Sequence, residues 1–169
     1  MRTDDEAAEF CRRMRPELVG ALTLYCGDRH VAEDLAQQTL ARVWVSWGRV
    51  ASTVDRRAYV HRMALNAARS HFRRRAAERR ARQRLGGMVR RTPDEAPDQA
   101  AALAVRDTVA ALPPRQRAAI VLRYFADLPV RDTAIVMGCA EGTVKALTFK
   151  AIAALRAQGL VDDEEHADV

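Results

Sequence analysis

The chain has 169 residues, with 28 basic against 22 acidic side chains and a formal net charge of +6 at pH 7. That length holds one domain or two small ones, and the basic balance admits a polyanionic partner without requiring one. No apolar run reaches the 18 or so residues of a membrane helix and no secretory leader is evident, while the scattered Cys11, Cys26 and Cys139 and His30, His61, His71 and His166 form no zinc pattern. The expectation is a cytoplasmic protein with reduced thiols, with no metal or other cofactor, no membrane insertion and no small-molecule substrate.

Residues 1–5 are polar and expected to fray. A helix is predicted over Glu6–Leu24, with Phe10, Met14, Leu18 and Leu22 at spacings of four. Cys26-Gly27-Asp28 breaks it, and Asp28 can cap the next helix, which runs to about Trp47. Its apolar stripe is Val31, Leu35, Leu40, Val43, Trp44 and Trp47. The tryptophans on that stripe are read as core, in preference to a base-stacking platform. Off the stripe, Asp34, Gln37, Gln38, Ala41 and Arg42 recur at i, i+3, i+4, i+7 and i+8. They form a solvated face or, alternatively, a protein-docking face read by hydrogen bonds.

Gly48–Asp55 (GRVASTVD) breaks the periodicity and reads as a loop. Asp55 then caps a helix predicted over Arg56–Arg75. Val60, Ala64, Leu65, Ala67, Ala68 and Phe72 are its apolar arc; Arg62, Asn66, Arg69 and Arg73 are a narrow opposite stripe. Arginines there can neutralise phosphates, and an asparagine among them can hydrogen-bond a base edge. An exposed basic helix with an incidental asparagine accounts for the stripe equally well.

Residues 73–91 hold nine arginines, and the acidic, proline-containing TPDEAPDQ follows. This change of composition marks a domain boundary. Helix resumes at about Ala100 and runs to Leu112. Pro113-Pro114 stops it and starts another, which extends to about Ala126 with Ala118, Val121, Leu122, Phe125 and Leu128 inward.

Val130–Arg156 then reads as helix, glycine turn, helix, with Gly138 closing the first and Ala140-Glu141 opening the second. Val144, Leu147, Thr148, Ala151 and Leu155 share a buried arc. The opposite arc, with Gly142, Lys145, Ala146, Phe149, Lys150 and Ala153, is small or cationic near the helix start. That is a helix-turn-helix candidate for DNA. The tail Asp162–Val169 is acidic and expected to be disordered.

The fold class predicted is all-α: two small helical domains joined by a flexible linker, the second containing the helix-turn-helix. The divisions are 1–77, a linker at 78–99, 100–160, and an acidic tail at 161–169. Two DNA-facing surfaces on one chain imply two spaced DNA elements. The carboxylates and histidines are too dispersed for a catalytic site, so no enzyme is expected.

The segments AEDLAQQTLARVW, AYVHRMALNAARSHFRRR, ALPPRQRAAIVLRYFADL and GCAEGTVKALTFKAIAALR resemble four successive blocks of the extracytoplasmic-function (ECF) sigma factors, most nearly an actinobacterial subfamily. They stand in that family's order and separation. The resemblance implies a promoter-specific initiation factor that binds core RNA polymerase through the β′ coiled coil and the β flap, reads promoter DNA, and is controlled by an anti-sigma factor. It implies polymerase docking for Asp34, Gln37, Gln38 and Arg42, with Gln38 standing where an acidic residue is usual. It implies recognition of a melted −10 element by Arg49, Ser52, Thr53, Arg62, Asn66, Arg69 and Arg73, the loop forming a pocket for a flipped base.

For the duplex −35 element it implies Arg123, Thr143, Lys145, Ala146, Phe149 and Lys150. Ala146 replaces a common serine. Phe149 replaces a smaller residue, and is read as packing on a neighbouring helix in preference to touching a thymine methyl. Asp94, Glu95 and Asp98 in the linker could imitate RNA charge. Cys139, in the hairpin turn, is read as a small buried residue and not as a redox switch. The alternative from another class is a stand-alone operator-binding regulator, dimeric on a palindromic site.

Overall fold

The computed structural model describes residues 2–84 and 100–159, and among them there are helices and turns but no strand. Helix α1, Arg2–Cys26, buries Phe10, Met14, Leu18 and Leu22 as their spacing requires, with Ala7, Ala21 and Tyr25 beside them. It starts four residues before the predicted Glu6, so the described part of the expected frayed start is helical.

The Asp28 carboxylate accepts from the Val31 N–H at 3.1 Å and starts α2, Arg29–Val45. Here the buried stripe is Ala32, Leu35, Ala36, Thr39 and Val43. Of the predicted stripe, Leu35, Val43 and Trp47 are buried and Val31 and Leu40 pack against the core, but Trp44 is corrected to the outside, and Ala32, Ala36 and Thr39, which the prediction omitted, are buried. Small residues bring α2 close to α1, and the Thr39 hydroxyl is satisfied by the Leu35 carbonyl at 2.7 Å. Consequently Trp44 stands 46% exposed, while Trp47 is buried and its ring lies 5.3 Å from that of Phe10.

Trp47 and Val50 are both buried, one helical turn apart, and they wind part of the expected loop into a short helix α3, Trp47–Ala51. Asp55 then caps Ala58 at 2.9 Å, and α4 spans Arg56–Arg84. It runs well beyond the predicted end at Arg75, into the range read as linker. The added residues are alanine, arginine, glutamate and glutamine, all strong helix formers.

In the second unit α5 is Ala100–Ala111 and α6 is Pro114–Ile120, with Pro114 in the first turn as predicted. A π-helical turn, Val121–Phe125, continues α6; the Ala126 N–H reaches the Val121 carbonyl at 2.9 Å. Helix α7, Val130–Met137, ends at Gly138, whose φ of 67° only glycine adopts without strain. Helix α8, Glu141–Ala157, completes the helix-turn-helix.

The two units do more than share a tether. Leu18, Leu22 and Leu65 from the first meet Ala118, Val121 and Leu122 from the second around one small apolar gap, and α7 packs along α4. The Arg57 guanidinium donates to the Ala126 carbonyl, and Arg117 donates to the Tyr25 carbonyl at 2.7 Å. The all-α class and the helix-turn-helix stand as predicted, but the units are joined by a common core. Asp94, Glu95, Asp98 and the acidic tail lie outside the described residues.

Candidate nucleic-acid interfaces

Because α2 turns its small residues inward, Asp34, Gln37, Gln38, Ala41 and Arg42 are all exposed together. Val45 falls on the same arc and is also exposed. Sequence reasoning left Val45 off this face and put Trp44 in the core. The apolar Trp44 and Val45 thus stand unburied beside the polar stripe, while Ala32, Ala36 and Thr39 are turned inward.

Of the stripe predicted on α4, Arg62, Asn66 and Arg73 are exposed; opposite them Val60, Ala64, Leu65 and Ala68 are buried. Arg69, predicted on the same outer stripe, is half-buried, and its charge acts on Tyr25 of α1. The Tyr25 pKa is raised by burial, against the opposing pull of Arg69 and Arg117. Arg69 therefore ties α4 to α1 and is not a free cation. In the loop, Arg49 and Ser52 are exposed and Thr53 is half-buried. The Ser52 and Thr53 hydroxyls donate to the Arg49 and Val50 carbonyls at 2.8 and 2.7 Å, closing the end of α3.

The entry of α4 is fixed by a cluster that sequence reasoning missed. His61 is 2% exposed, and its Nε2 lies 2.6 Å from Glu17 Oε1. Arg57 Nε donates to the same oxygen at 2.8 Å. Burial alone would raise the Glu17 pKa, but the hydrogen bonds and charges of His61 and Arg57 outweigh it and hold the carboxyl below its ordinary value. Arg56 pairs with Glu6 at 2.7 Å and lies over the Trp47 ring at 5.4 Å. The available signal was a histidine on the buried arc of one helix and a glutamate beside buried Leu18 on another.

On α8 Lys145, Ala146, Phe149 and Lys150 are among the exposed residues, with Val144, Thr148, Ala151, Ile152 and Leu155 buried behind them. The packing read for Phe149 is corrected: no helix covers its ring, which is 71% exposed, because that position lies off the buried arc. Thr143 is half-buried in the first turn. Arg123 is half-buried too, and its Nη1 donates to the Leu128 carbonyl at 2.5 Å, bracing the turn into α7.

Cys139 is half-buried in the hairpin turn. Burial pushes the Cys26 thiol up to about 12, and raises that of Cys11. Among the described residues no three His, Cys, Asp or Glu side chains gather as metal ligands.

Residues 10–78 match the sigma-70 region 2 family and residues 102–155 the sigma-70 region 4 family. The chain is 29% identical over 159 residues to the RNA polymerase sigma-E factor of Streptomyces coelicolor, covering 94% of this chain and 88% of that one. To the ECF RNA polymerase sigma factor SigL of Mycobacterium tuberculosis it is 33% identical over 135 residues, covering 77% and 75%. Among solved structures it is similar to the sigma factor RpoE of Bartonella quintana, in complex with the anti-sigma factor NepR. There the TM-score is 0.76 at 24% identity, over 91% of this chain and 98% of the other.

Proposed function

The chain belongs to the ECF sigma factors of RNA polymerase, and from that premise we propose that it divides promoter-specific initiation among the three exposed faces described above. As a member of this family it directs transcription initiation. The α2 face, with Asp34, Gln37, Gln38 and Arg42, docks on the β′ coiled coil of core polymerase. The end of α3 and the outer side of α4 hold the melted −10 strand, with Asn66 at the base edge and Arg62 and Arg73 on phosphates. Helix α8 enters the −35 major groove with Lys145, Ala146, Phe149 and Lys150 leading. Arg123 and Thr143 support its placement.

One observation supports this reading above the others. The candidate contact residues of α4 and of α8 are exposed, while the opposite sides of both helices are committed to the core. A helix whose inner side is so committed can present its outer side in only one orientation. The reading divides the chain at 1–77, 78–99 and 100–160, with the β flap a second polymerase contact. It places the protein in the cytoplasm with the polymerase, under an anti-sigma factor that binds it as a separate chain. Among the described residues no helix is long and apolar enough to cross a membrane.

Docking is tested by size-exclusion chromatography of the protein mixed with sigma-free core polymerase. The protein should co-elute with core, and Arg42→Glu should abolish co-elution. Separate elution of the unaltered protein would remove the docking assignment.

A further inference from the structure

Helix α4 outruns the body of the protein. Its Phe72 ring still meets Tyr25 edge-on at 6.1 Å, but from Ala77 to Arg84 every side chain is exposed. Residues 73–84 contain seven arginines and one glutamate. The segment is basic on every side and has no face to bury, so packing does not explain it. Like charges at i and i+4, as in Arg75 with Arg79 and Arg80 with Arg84, oppose the helix. Glu78 offsets only part of this, from its place four residues after Arg74 and four before Arg82. A polyanion lying along the rod would relieve the repulsion.

Three of these arginines continue the stripe begun by Arg62 and Asn66. At 3.6 residues per turn, Arg62, Asn66, Arg73, Arg80 and Arg84 fall within an arc of about 40°. Arg75, Arg79 and Arg82 lie on the far side. From Arg62 to Arg84 the aligned stripe rises through 22 residue steps. At 1.5 Å per residue that is about 33 Å, close to the ~34 Å of one turn of B-DNA. In the sequence this stripe lies between the −10 face and the unit that carries α8.

We propose that Arg80 and Arg84, in line with Arg73, clamp the phosphates of the duplex between the two promoter elements, next to the melted −10 bases. The inference rests on the reading of Arg62 and Asn66 as the −10 face. The ligand is the phosphodiester backbone and not a base sequence, because guanidinium groups pair with phosphate whatever the base. The clamp adds affinity and alignment, and leaves sequence preference to Asn66 and α8.

The test uses holoenzyme assembled from core polymerase and the full chain, on promoter DNA melted in advance at the −10 bases. Affinity is measured against salt. Arg80→Gln with Arg84→Gln should reduce the slope of log K against log salt by about 2, at about 0.9 for each phosphate left without its guanidinium. Arg75→Gln with Arg82→Gln removes the same charge from the far side and should leave the slope at its parental value. Neutral methylphosphonate linkages placed between the elements should weaken the parent but not the Arg80/Arg84 variant. Equal losses from the two variants, or no loss from either, would overturn the proposal. So would equal sensitivity of parent and Arg80/Arg84 variant to the methylphosphonates, which would mark RNA or polymerase as the partner of these arginines. A parent that fails to bind promoter at all would bring down the −10 reading and this clamp together. A parent that binds, with variants that do not discriminate, brings down the clamp alone.

Discussion

The Phe125 ring lies against Gly20, so closely that a Cβ on Gly20 would stand 2.9 Å from Phe125 Cε1 and nearer still to Cζ. Gly20 sits in the middle of α1 and Phe125 at the end of the π-helical turn, so the contact seats the second unit on the first. A leucine at position 20 would strengthen α1 by about 0.8 kcal/mol through helix propensity while pushing the ring away. Gly20→Leu should keep its helical circular dichroism but show a larger radius of gyration in X-ray scattering. An unchanged radius would mean that this contact does not set how the units sit.

The Glu17 cluster predicts a pH dependence. Its folded pKa is lowered from the ordinary 4.5, so the unfolded chain takes up a proton first. The resulting stability is complete above the unfolded value and is lost as pH falls through the folded one. Glu17→Gln should cost roughly 1–3 kcal/mol at pH 7, the range for hydrogen bonds to a charged group, and should flatten the acid limb. Urea midpoints between pH 3 and 7 measure both. A variant with the parental acid limb would assign the acid sensitivity to other groups.

The two readers should separate by element. Asn66→Ala should weaken initiation by about 5–150-fold, the range of a base contact worth 1–3 kcal/mol, with the loss removed by changing the −10 base it contacts. Lys145→Ala should respond in the same way to −35 changes and be indifferent at −10. Initiation assays on a matrix of promoter variants show which holds; sensitivity of both variants to the same element would contradict the division.

Much of this was legible in the sequence, because local chemistry decides local structure. Asp28, Asp55, Pro114 and Gly138 mark helix ends whatever the fold, and periodicity placed Lys145 and Asn66 outward. What could not be read was what each inward face packs against. Val121, Leu122 and Phe125 read as inward; the structure buries Val121 and Leu122 beside Leu18 and Leu22 of the other unit, but leaves Phe125 44% exposed with its ring over Gly20. Trp44 was misplaced on α2, and Ala32, Ala36 and Thr39 were overlooked, because large apolar residues outweighed small ones in the pattern. The end of α4 was misplaced because arginine is at once a helix former and the mark of a charged linker. Arg69 and Arg123 were legible as cations but not as cations held by Tyr25 and the Leu128 carbonyl.

Gln38, where the family usually carries an acid, predicts a gain of function. It is exposed beside Asp34 and Arg42, so Gln38→Glu adds charge without burial cost. Affinity for core polymerase should rise about two- to fivefold, the yield of an exposed ion pair worth up to ~1 kcal/mol, with a steeper salt dependence. An unchanged affinity and salt slope in a titration would show that position 38 does not face the polymerase.

In-vitro transcription tests the central claim most directly. The purified protein would be added to sigma-free core polymerase on a pool of bacterial genomic promoters, and the 5′ ends of the transcripts sequenced. The account predicts discrete start sites preceded by two shared elements at a fixed spacing. No stimulated initiation, together with tight binding to a palindromic duplex in the absence of polymerase, would contradict it and identify a stand-alone operator-binding regulator instead.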